Sequence, residues 1–292
     1  MKPKKRGRRI FRLIIIFICV ALVFAIVWGI STAIAKLTHY GESTTIRSEQ
    51  TEPLEEELAP EPEQKEEALP SNLYQAEGFS EENGIRTYAA DGVTGIAGID
   101  VSAYQPSIDW TAVKDAGIEF AMIRVGYRGY GSGKLDLDDC FLSHMEGALQ
   151  AGLDVGVYFF SQALTPEEAK EEAEYVLTWI EGYEITCPVV FDWEEVEGPA
   201  RTDEMNMLLL TSCAQAFCET VEAEGYEAGI YFNQAYGYQQ FNLVSLRDYI
   251  FWLAEYAPTP TFAYDFEMWQ YTNEGTVPGV EGPVDLNIWF KK

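Results

Sequence analysis

Asp192 and Glu194 stand at the end of an apolar run, residues 189–191, with Trp193 between them. The run has the composition of a short buried strand, whose side chains alternate between the two faces of a sheet. The two acidic side chains are therefore predicted to point the same way, about 6.6 Å apart along the strand. Two carboxyl groups in unequal surroundings, one protonated and one ionised, can together cleave a glycosidic bond. A loop cap, a salt bridge or a cation site is the alternative for an isolated pair of this kind.

Strands and helices are predicted to alternate along residues 95–290. The predicted strands are 98–102, 120–125, 155–160, 189–194, 229–232, 249–255, 266–271 and 284–289, and the predicted helices are 108–116, 138–151, 165–181 and 203–224. This alternation predicts a parallel sheet, and about eight strands in so short a stretch predict a small closed barrel. We therefore expect an α/β fold, an irregular TIM-like (β/α) barrel, whose later half has short loops in place of full helices.

Three more acidic residues lie at the ends of other predicted strands. Asp100 ends the first strand, Glu255 ends the sixth, and Asp285 lies in the last. Functional groups of a parallel barrel collect at the carboxyl ends of its strands, so these acids are expected to share one site with Asp192 and Glu194.

Aromatic side chains near these strand ends are expected to form walls on which sugar rings stack, although core packing is the other interpretation. They are Tyr127, Tyr158, Trp193, Tyr231, Trp252, Trp269 and Tyr271. We expect Glu255 and Gln270 to supply polar contacts to the substrate beside them.

Five motifs resemble those of the glycoside hydrolase family 25 lysozymes. They are Asp100-Val101-Ser102 with Gln105, Val190-Phe191-Asp192-Trp193-Glu194, Trp252-Leu253-Ala254-Glu255-Tyr256, Met268-Trp269-Gln270-Tyr271, and residues 279–287. The resemblance covers about residues 96–290 and implies an irregular TIM-like barrel. It also implies an N-acetylmuramidase that cuts the β-1,4 bond between N-acetylmuramic acid and N-acetylglucosamine in peptidoglycan. The active-site acids of the family match Asp100, Asp192, Glu194 and Asp285.

In this interpretation Glu194 is the general acid, which protonates the leaving oxygen and later activates water. Asp192 either attacks the anomeric carbon or orients the 2-acetamido group of the substrate as the nucleophile. The spacing of the pair resembles that of the substrate-assisted families, which favours the second role with retention of configuration. Asp100 and Asp285 are expected to tune these pKa values and to hold sugar groups. No metal or organic cofactor is required.

Two rival functions stay open from the sequence. One is a catalytically inactive, membrane-tethered module that binds cell-wall glycan, and the other is a hydrolase of a different carbohydrate such as chitin. Nucleic acid is not an expected partner, because the net charge is -27 and residues 96–292 hold 33 acidic residues against 9 basic ones. The expected partner is the peptidoglycan glycan strand.

The first 12 residues hold seven of the 20 basic residues, and residues 13–35 hold no charge. As a helix the uncharged run is about 34 Å long, which exceeds a bilayer core of about 30 Å. The sequence therefore predicts a basic cytoplasmic tail at 1–12 and a single-pass anchor at 13–35, with the catalytic domain outside the cell. Secretion after cleavage near Ala35 is the alternative. An anchored enzyme also suggests a wall-spanning machine in the same membrane as a partner.

Residues 36–94 are rich in Glu and Pro, and the sequence predicts a disordered acidic linker there, before a catalytic barrel at 95–292. The five cysteines lack a Cys-x-x-Cys pair, so we expect mostly buried free thiols and no zinc site. They are Cys19, Cys140, Cys187, Cys213 and Cys218.

Overall fold

The computed structural model describes residues 68–291. Within this range the strands are β1 Phe79–Glu82, β2 Ile85–Ala90, β3 Val93–Val101, β4 Phe120–Arg128, β5 Leu135–Leu137, β6 Asp154–Ser161, β7 Val189–Trp193, β8 Ala228–Asn233, β9 Ile250–Ala254, β10 Met268–Gly275 and β11 Val284–Lys291. The α-helices are α1 Trp110–Asp115, α2 Phe141–Gln150, α3 Pro166–Ile180, α4 Met207–Ala223 and α5 Gln234–Gln239. Two 3₁₀ turns, Ala76–Gly78 and Leu243–Leu246, complete the described elements.

The sheet closes into a barrel of eight strands, because β3 pairs with β4 on one side and with β11 on the other. Neighbouring barrel strands from β3 to β10 are parallel. The last strand, β11, is antiparallel to both of its neighbours, since the short segment between β10 and β11 leaves no room for a crossover helix. The predicted closed α/β barrel is confirmed, and this antiparallel strand makes it irregular.

Helix α3 begins as its sequence predicts. The Thr165 hydroxyl accepts a hydrogen bond from the Glu168 amide, and Pro166 occupies the first helical position. The Glu168 carboxylate accepts from the amide of Leu164, one residue earlier than in a regular capping box. After β8 the described chain has only α5 and a 3₁₀ turn as helical elements, so the later half lacks full-length helices, as predicted.

Alternation along the strands divides the apolar side chains into two layers. Val190 points into the barrel, where it packs with Phe120, Met122, Trp252, Met268 and Trp289. Its neighbours Val189 and Phe191 point outward and pack under the helices, and the rings of Phe191 and Phe217 lie 5.5 Å apart. Because the period is two, Asp192 follows Val190 onto the inner face.

The linker prediction is wrong for residues 71–94. This stretch contains the hairpin of β1 and β2, which extends the sheet from β3. The ring of Tyr74 stacks on Phe290 at 3.8 Å, and its hydroxyl donates to the carbonyl of Phe266 at 2.6 Å. Tyr74, Phe79 and Tyr88 follow the acidic run, and they provide the apolar burial that offsets the entropy of ordering the segment. Residues 36–67 lie outside the described range.

Tyr74→Ala is expected to lower the free energy of unfolding by about 2–3 kcal/mol, because it leaves a cavity against the barrel and removes a hydrogen bond. Urea unfolding of the full-length protein, followed by tryptophan fluorescence, measures the change. Tyr74→Phe keeps the stacked ring and should cost about 1 kcal/mol. Wild-type stability in the alanine variant would mean that this segment does not belong to the folded unit.

The described residues include no helix that is long and apolar enough to cross a membrane. The predicted anchor at 13–35 and basic tail at 1–12 lie outside the described range. Three cysteines are buried free thiols and one is a partly buried free thiol, which confirms that prediction for Cys187, Cys213, Cys218 and Cys140. Cys19 belongs to the part of the chain that the structure does not describe.

Candidate active site

A cavity of about 770 Å³ opens at the carboxyl ends of the parallel barrel strands. The four predicted active-site acids line it together. Asp100 comes from the end of β3, Asp192 and Glu194 from the end of β7, and Asp285 from β11, where it pairs with Asp100 across the sheet. Closure of the barrel therefore brings together acids that lie in distant parts of the sequence.

Aromatic side chains form one wall of the cavity. Tyr158 and Tyr231 meet Trp252 edge to face, with ring centroids 5.9 and 5.0 Å apart, and Tyr127 lies at the more exposed rim. The indole nitrogen of Trp252 donates to Asn287 Oδ1 at 2.8 Å, so this buried ring has its hydrogen-bond partner. Faces of this kind suit stacking against a sugar ring.

Three predicted wall residues, Trp193, Trp269 and Tyr271, do not line the cavity. Each is next in sequence to an inward-facing residue, so alternation turns its side chain to the outer layer. Trp193 lies 5.6 Å from Tyr236, and the indole nitrogen of Trp269 donates to the carbonyl of Glu255 at 2.9 Å. These three aromatic residues are core residues.

Glu255 also lies away from the cavity lining. Its carboxylate accepts hydrogen bonds from the amides of Thr261 and Phe262, and it therefore stabilises the loop after β9. Gln270, the other predicted polar contact, does line the cavity.

A buried hydrogen-bond network holds Asp100. Gln270 Nε2 and Asn287 Nδ2 donate to Asp100 Oδ2 at 2.9 and 2.8 Å. The Gln270 carbonyl oxygen accepts from the hydroxyls of Tyr231 and Tyr256 at 3.0 and 2.9 Å, which fixes the orientation of the amide. Burial raises the pKa of Asp100 to about 6, although the two amide donors lower it. The network thus stabilises a carboxylate that burial disfavours.

The remaining acids have raised pKa values because burial and neighbouring negative charges disfavour ionisation. Burial, then Glu194 and Asp100, raise the pKa of Asp192 well above its usual range, and burial and Asp100 raise that of Glu194. Asp192 Oδ1 is buried and has no hydrogen-bond partner among the described residues. Burial and mutual repulsion therefore favour the protonated forms of these acids, and the site also offers one acceptor without a donor.

Arg124 is a site residue that sequence analysis missed. It lines the cavity, binds Asp138 Oδ2 through Nη2 at 2.7 Å, and lowers the pKa of Asp192. Its guanidinium lies 5.4 Å from the ring centroid of Tyr104 and 5.7 Å from that of Tyr127. The signal in the sequence was a single charge inside an apolar strand, which is unusual unless the charge is paired.

Stability should depend on pH through Asp285. Burial, then Asp100, raise the pKa of its carboxyl group to about 8. Since an unfolded aspartate titrates near pH 4, the folded protein keeps a proton between about pH 4 and 8 that the unfolded chain has released. The free energy of unfolding therefore falls as the pH rises through this window.

Asp285→Asn removes this ionisation. The variant is expected to be more stable than wild type by about 1–2 kcal/mol at pH 8, with the difference vanishing near pH 4. Urea unfolding at pH 4, 6 and 8 measures this difference in the free energy of unfolding. Asp115→Asn, at an exposed position of α1, is the matched control. A difference that is the same at all three pH values would contradict the raised pKa.

The described residues contain no group of three or more His, Cys, Asp and Glu side chains arranged to hold a metal ion.

Residues 99–280 match the family described as glycosyl hydrolases family 25. The autolytic lysozyme of Clostridium acetobutylicum is 27% identical over 191 residues, which cover 65% of this chain and 54% of that protein. Lysozyme M1 of Streptomyces globisporus is 28% identical over 237 residues, which cover 75% of this chain and 78% of that protein.

Among solved structures, the modular autolysin LytC of Streptococcus pneumoniae, in complex with a synthetic peptidoglycan ligand, has a similar fold. The TM-score is 0.60 at 21% identity, and the match covers 73% of this chain and 52% of LytC. The chain thus spans about half the length of the autolytic lysozyme and of LytC.

Proposed function

Because the chain belongs to glycosyl hydrolase family 25, we propose that it is a peptidoglycan hydrolase, an N-acetylmuramidase of the lysozyme type. It cuts the β-1,4 bond between N-acetylmuramic acid and N-acetylglucosamine. The observation that carries the proposal is the meeting of Asp100, Asp192, Glu194 and Asp285 in one aromatic-walled cavity, with raised pKa values. The similarity to two proteins named as lysozymes supports the assignment to the lysozyme type.

Glu194 is the general acid of the proposed reaction. It lines the cavity beyond the end of β7, and burial and the charge of Asp100 raise its pKa, which favours its protonated form. It donates this proton to the leaving glycosidic oxygen as the bond breaks. As a carboxylate it then removes a proton from water in the second step.

Asp192 orients the 2-acetamido group of the substrate. Its buried Oδ1 atom is an acceptor without a donor, and an amide N–H of the substrate supplies one. A hydrogen bond from the substrate to the ionised form lowers the pKa of Asp192, as Arg124 also does, which favours Asp192 as the carboxylate and Glu194 as the proton donor when substrate is bound. The acetamido oxygen then attacks the anomeric carbon, and the overall reaction retains configuration.

Asp100 supplies negative charge to the cavity, whereas Asp285 keeps its proton below about pH 8 and can donate a hydrogen bond to a sugar group. Two amide donors hold Asp100 in one orientation, and its charge raises the pKa of both Glu194 and Asp285. Negative charge beside the anomeric carbon stabilises the oxocarbenium-like transition state. Tyr158, Tyr231 and Trp252 provide the apolar face for the sugar ring.

The proposal includes a location. The uncharged run at 13–35, preceded by seven basic residues, supports a single-pass anchor that leaves the catalytic domain outside the cell. A wall-spanning machine in the same membrane is a partner that suits an anchored hydrolase. Carbonate extraction of membranes tests the anchor, and a soluble product that begins near Lys36 would instead indicate cleavage of a signal peptide.

Mass spectrometry tests the reaction. The sample is the soluble product mixture that forms when the full-length protein digests peptidoglycan whose original reducing ends have been chemically reduced. New reducing N-acetylmuramic acid ends are expected. New reducing N-acetylglucosamine ends would overturn the bond assignment. Cleavage of chitin oligomers as fast as peptidoglycan would overturn the assignment of peptidoglycan as the substrate. Binding to sacculi without release of any fragment would indicate a glycan-binding module instead.

A further inference from the structure

Arg86, in the β1–β2 hairpin, contacts the loop that follows β9. Its Nη1 atom donates to the carbonyl of Ala257 at 2.9 Å and lies 3.5 Å from that of Pro258. This contact joins residues 171 positions apart in the chain. Arg86 lies outside residues 99–280, which match the family, so the hairpin adds a contact that the matched region alone does not contain.

The guanidinium of Arg86 is held from several sides. Its Nε atom donates to Glu81 Oε2 at 2.8 Å, and the group lies 4.8 Å from the ring centroid of Tyr271. The backbone amide of Arg86 donates to the Tyr271 hydroxyl at 3.0 Å. A planar group with several fixed donors suits the task of orienting a loop carbonyl.

The contacted loop carries Tyr256 into the cavity. The backbone carbonyl groups of both residues that flank Tyr256 accept hydrogen bonds. The Glu255 carbonyl accepts from the Trp269 indole, and the Ala257 carbonyl accepts from Arg86. The Tyr256 hydroxyl donates to Gln270 Oε1 at 2.9 Å, and Gln270 Nε2 donates to Asp100. A continuous series of contacts therefore runs from the hairpin to an acid of the proposed active site.

We propose that Arg86 is a positioning residue, which orients Tyr256 and through it Gln270 and Asp100. This inference rests on the proposed function, since it assigns the hairpin a part in glycan hydrolysis. Without the contact to Ala257, the Tyr256 hydroxyl no longer meets Gln270 in a fixed geometry. Gln270 then keeps only the Tyr231 hydroxyl as a donor to its carbonyl oxygen.

A double-mutant cycle on the full-length protein tests the proposal. Arg86→Met and Tyr256→Phe are each expected to lower kcat for peptidoglycan about tenfold with little change in KM, because both disturb the same contacts. The double variant should be about as active as Tyr256→Phe alone. Effects that multiply to about a hundredfold would overturn the proposal, as would wild-type activity in Arg86→Met.

Two further variants separate positioning from general support of the fold. Arg86→Lys keeps the charge and one donor, so it should recover part of the lost kcat. Glu81→Gln keeps an oxygen acceptor for Arg86 Nε on a half-exposed side chain, so it should leave kcat unchanged. If Arg86→Met does not fold, Arg86→Lys carries the cycle with Tyr256→Phe, and additive effects there would contradict the proposal.

Hydrogen exchange gives a result that does not depend on activity. In Arg86→Met the amides of residues 255–262 should exchange faster than in wild type, while in Glu81→Gln they should not. Unchanged exchange in Arg86→Met would overturn the positioning role. If the wild-type protein releases no glycan fragments while Arg86→Met still shows the faster exchange, only the proposed function is overturned.

Discussion

Glu194→Gln is expected to lower kcat for peptidoglycan hydrolysis by about 10³-fold or more, while the protein stays folded. The amide has nearly the same shape as the carboxyl group but cannot donate a proton to the leaving oxygen. Glu194 lines the cavity, and burial and the charge of Asp100 raise its pKa, which favours the protonated form that a general acid needs. The rate of release of reducing ends from labelled sacculi measures the effect.

The neighbouring residue provides a matched control for this substitution. Glu195 is exposed and does not line the cavity, so Glu195→Gln should retain wild-type kcat. The decrease in kcat caused by Glu194→Gln should also be smaller on an aryl glycoside, because its leaving group needs no proton. Near-wild-type activity of Glu194→Gln on peptidoglycan would assign the acid role to another carboxyl group.

Asp192→Asn should lower kcat by about 10²- to 10⁴-fold, because the variant lacks the negative charge that orients and activates the acetamido group. Its Oδ1 atom is the buried acceptor without a partner in the described structure, so the substitution acts where the substrate binds. Asp154→Asn, at the amino end of β6, is the control and should keep full activity. Initial rates on labelled peptidoglycan compare the two variants.

Added azide distinguishes the two roles that Asp192 can have. If the substrate supplies the nucleophile, azide should not restore activity to Asp192→Asn. Restoration with an azide product of inverted configuration would instead identify Asp192 as the direct nucleophile. Full activity without azide would exclude both roles.

The β1–β2 hairpin and the segment before it are part of the folded unit. Tyr74 packs on Phe290 and Arg86 contacts the loop after β9, so a chain that begins near residue 90 would lack both contacts. The full-length protein is therefore the proper sample for kinetic comparisons.

The sequence alone determined the succession of barrel strands and helices and the positions of the acids. Hydrophobic periodicity and helix caps are local properties, which is why the residues around Thr165 predict the start of α3 correctly. The positions of Asp100, Asp192 and Asp285 at strand ends are local as well. Alternation along β7 also separates Trp193 from Asp192, although the sequence predicts both at the site.

Only the tertiary structure decided which distant groups surround each acid. Asp100 accepts hydrogen bonds from Gln270 and Asn287, which lie 170 and 187 residues away in the chain. The positive charge of Arg124, which lowers the pKa of Asp192, is another distant group that the sequence did not assign to the site. The pairing of the hairpin with the first barrel strand is also a tertiary contact. Burial and neighbouring charges set the pKa of a carboxyl group, and both arise when closure of the barrel joins its first strand to its last.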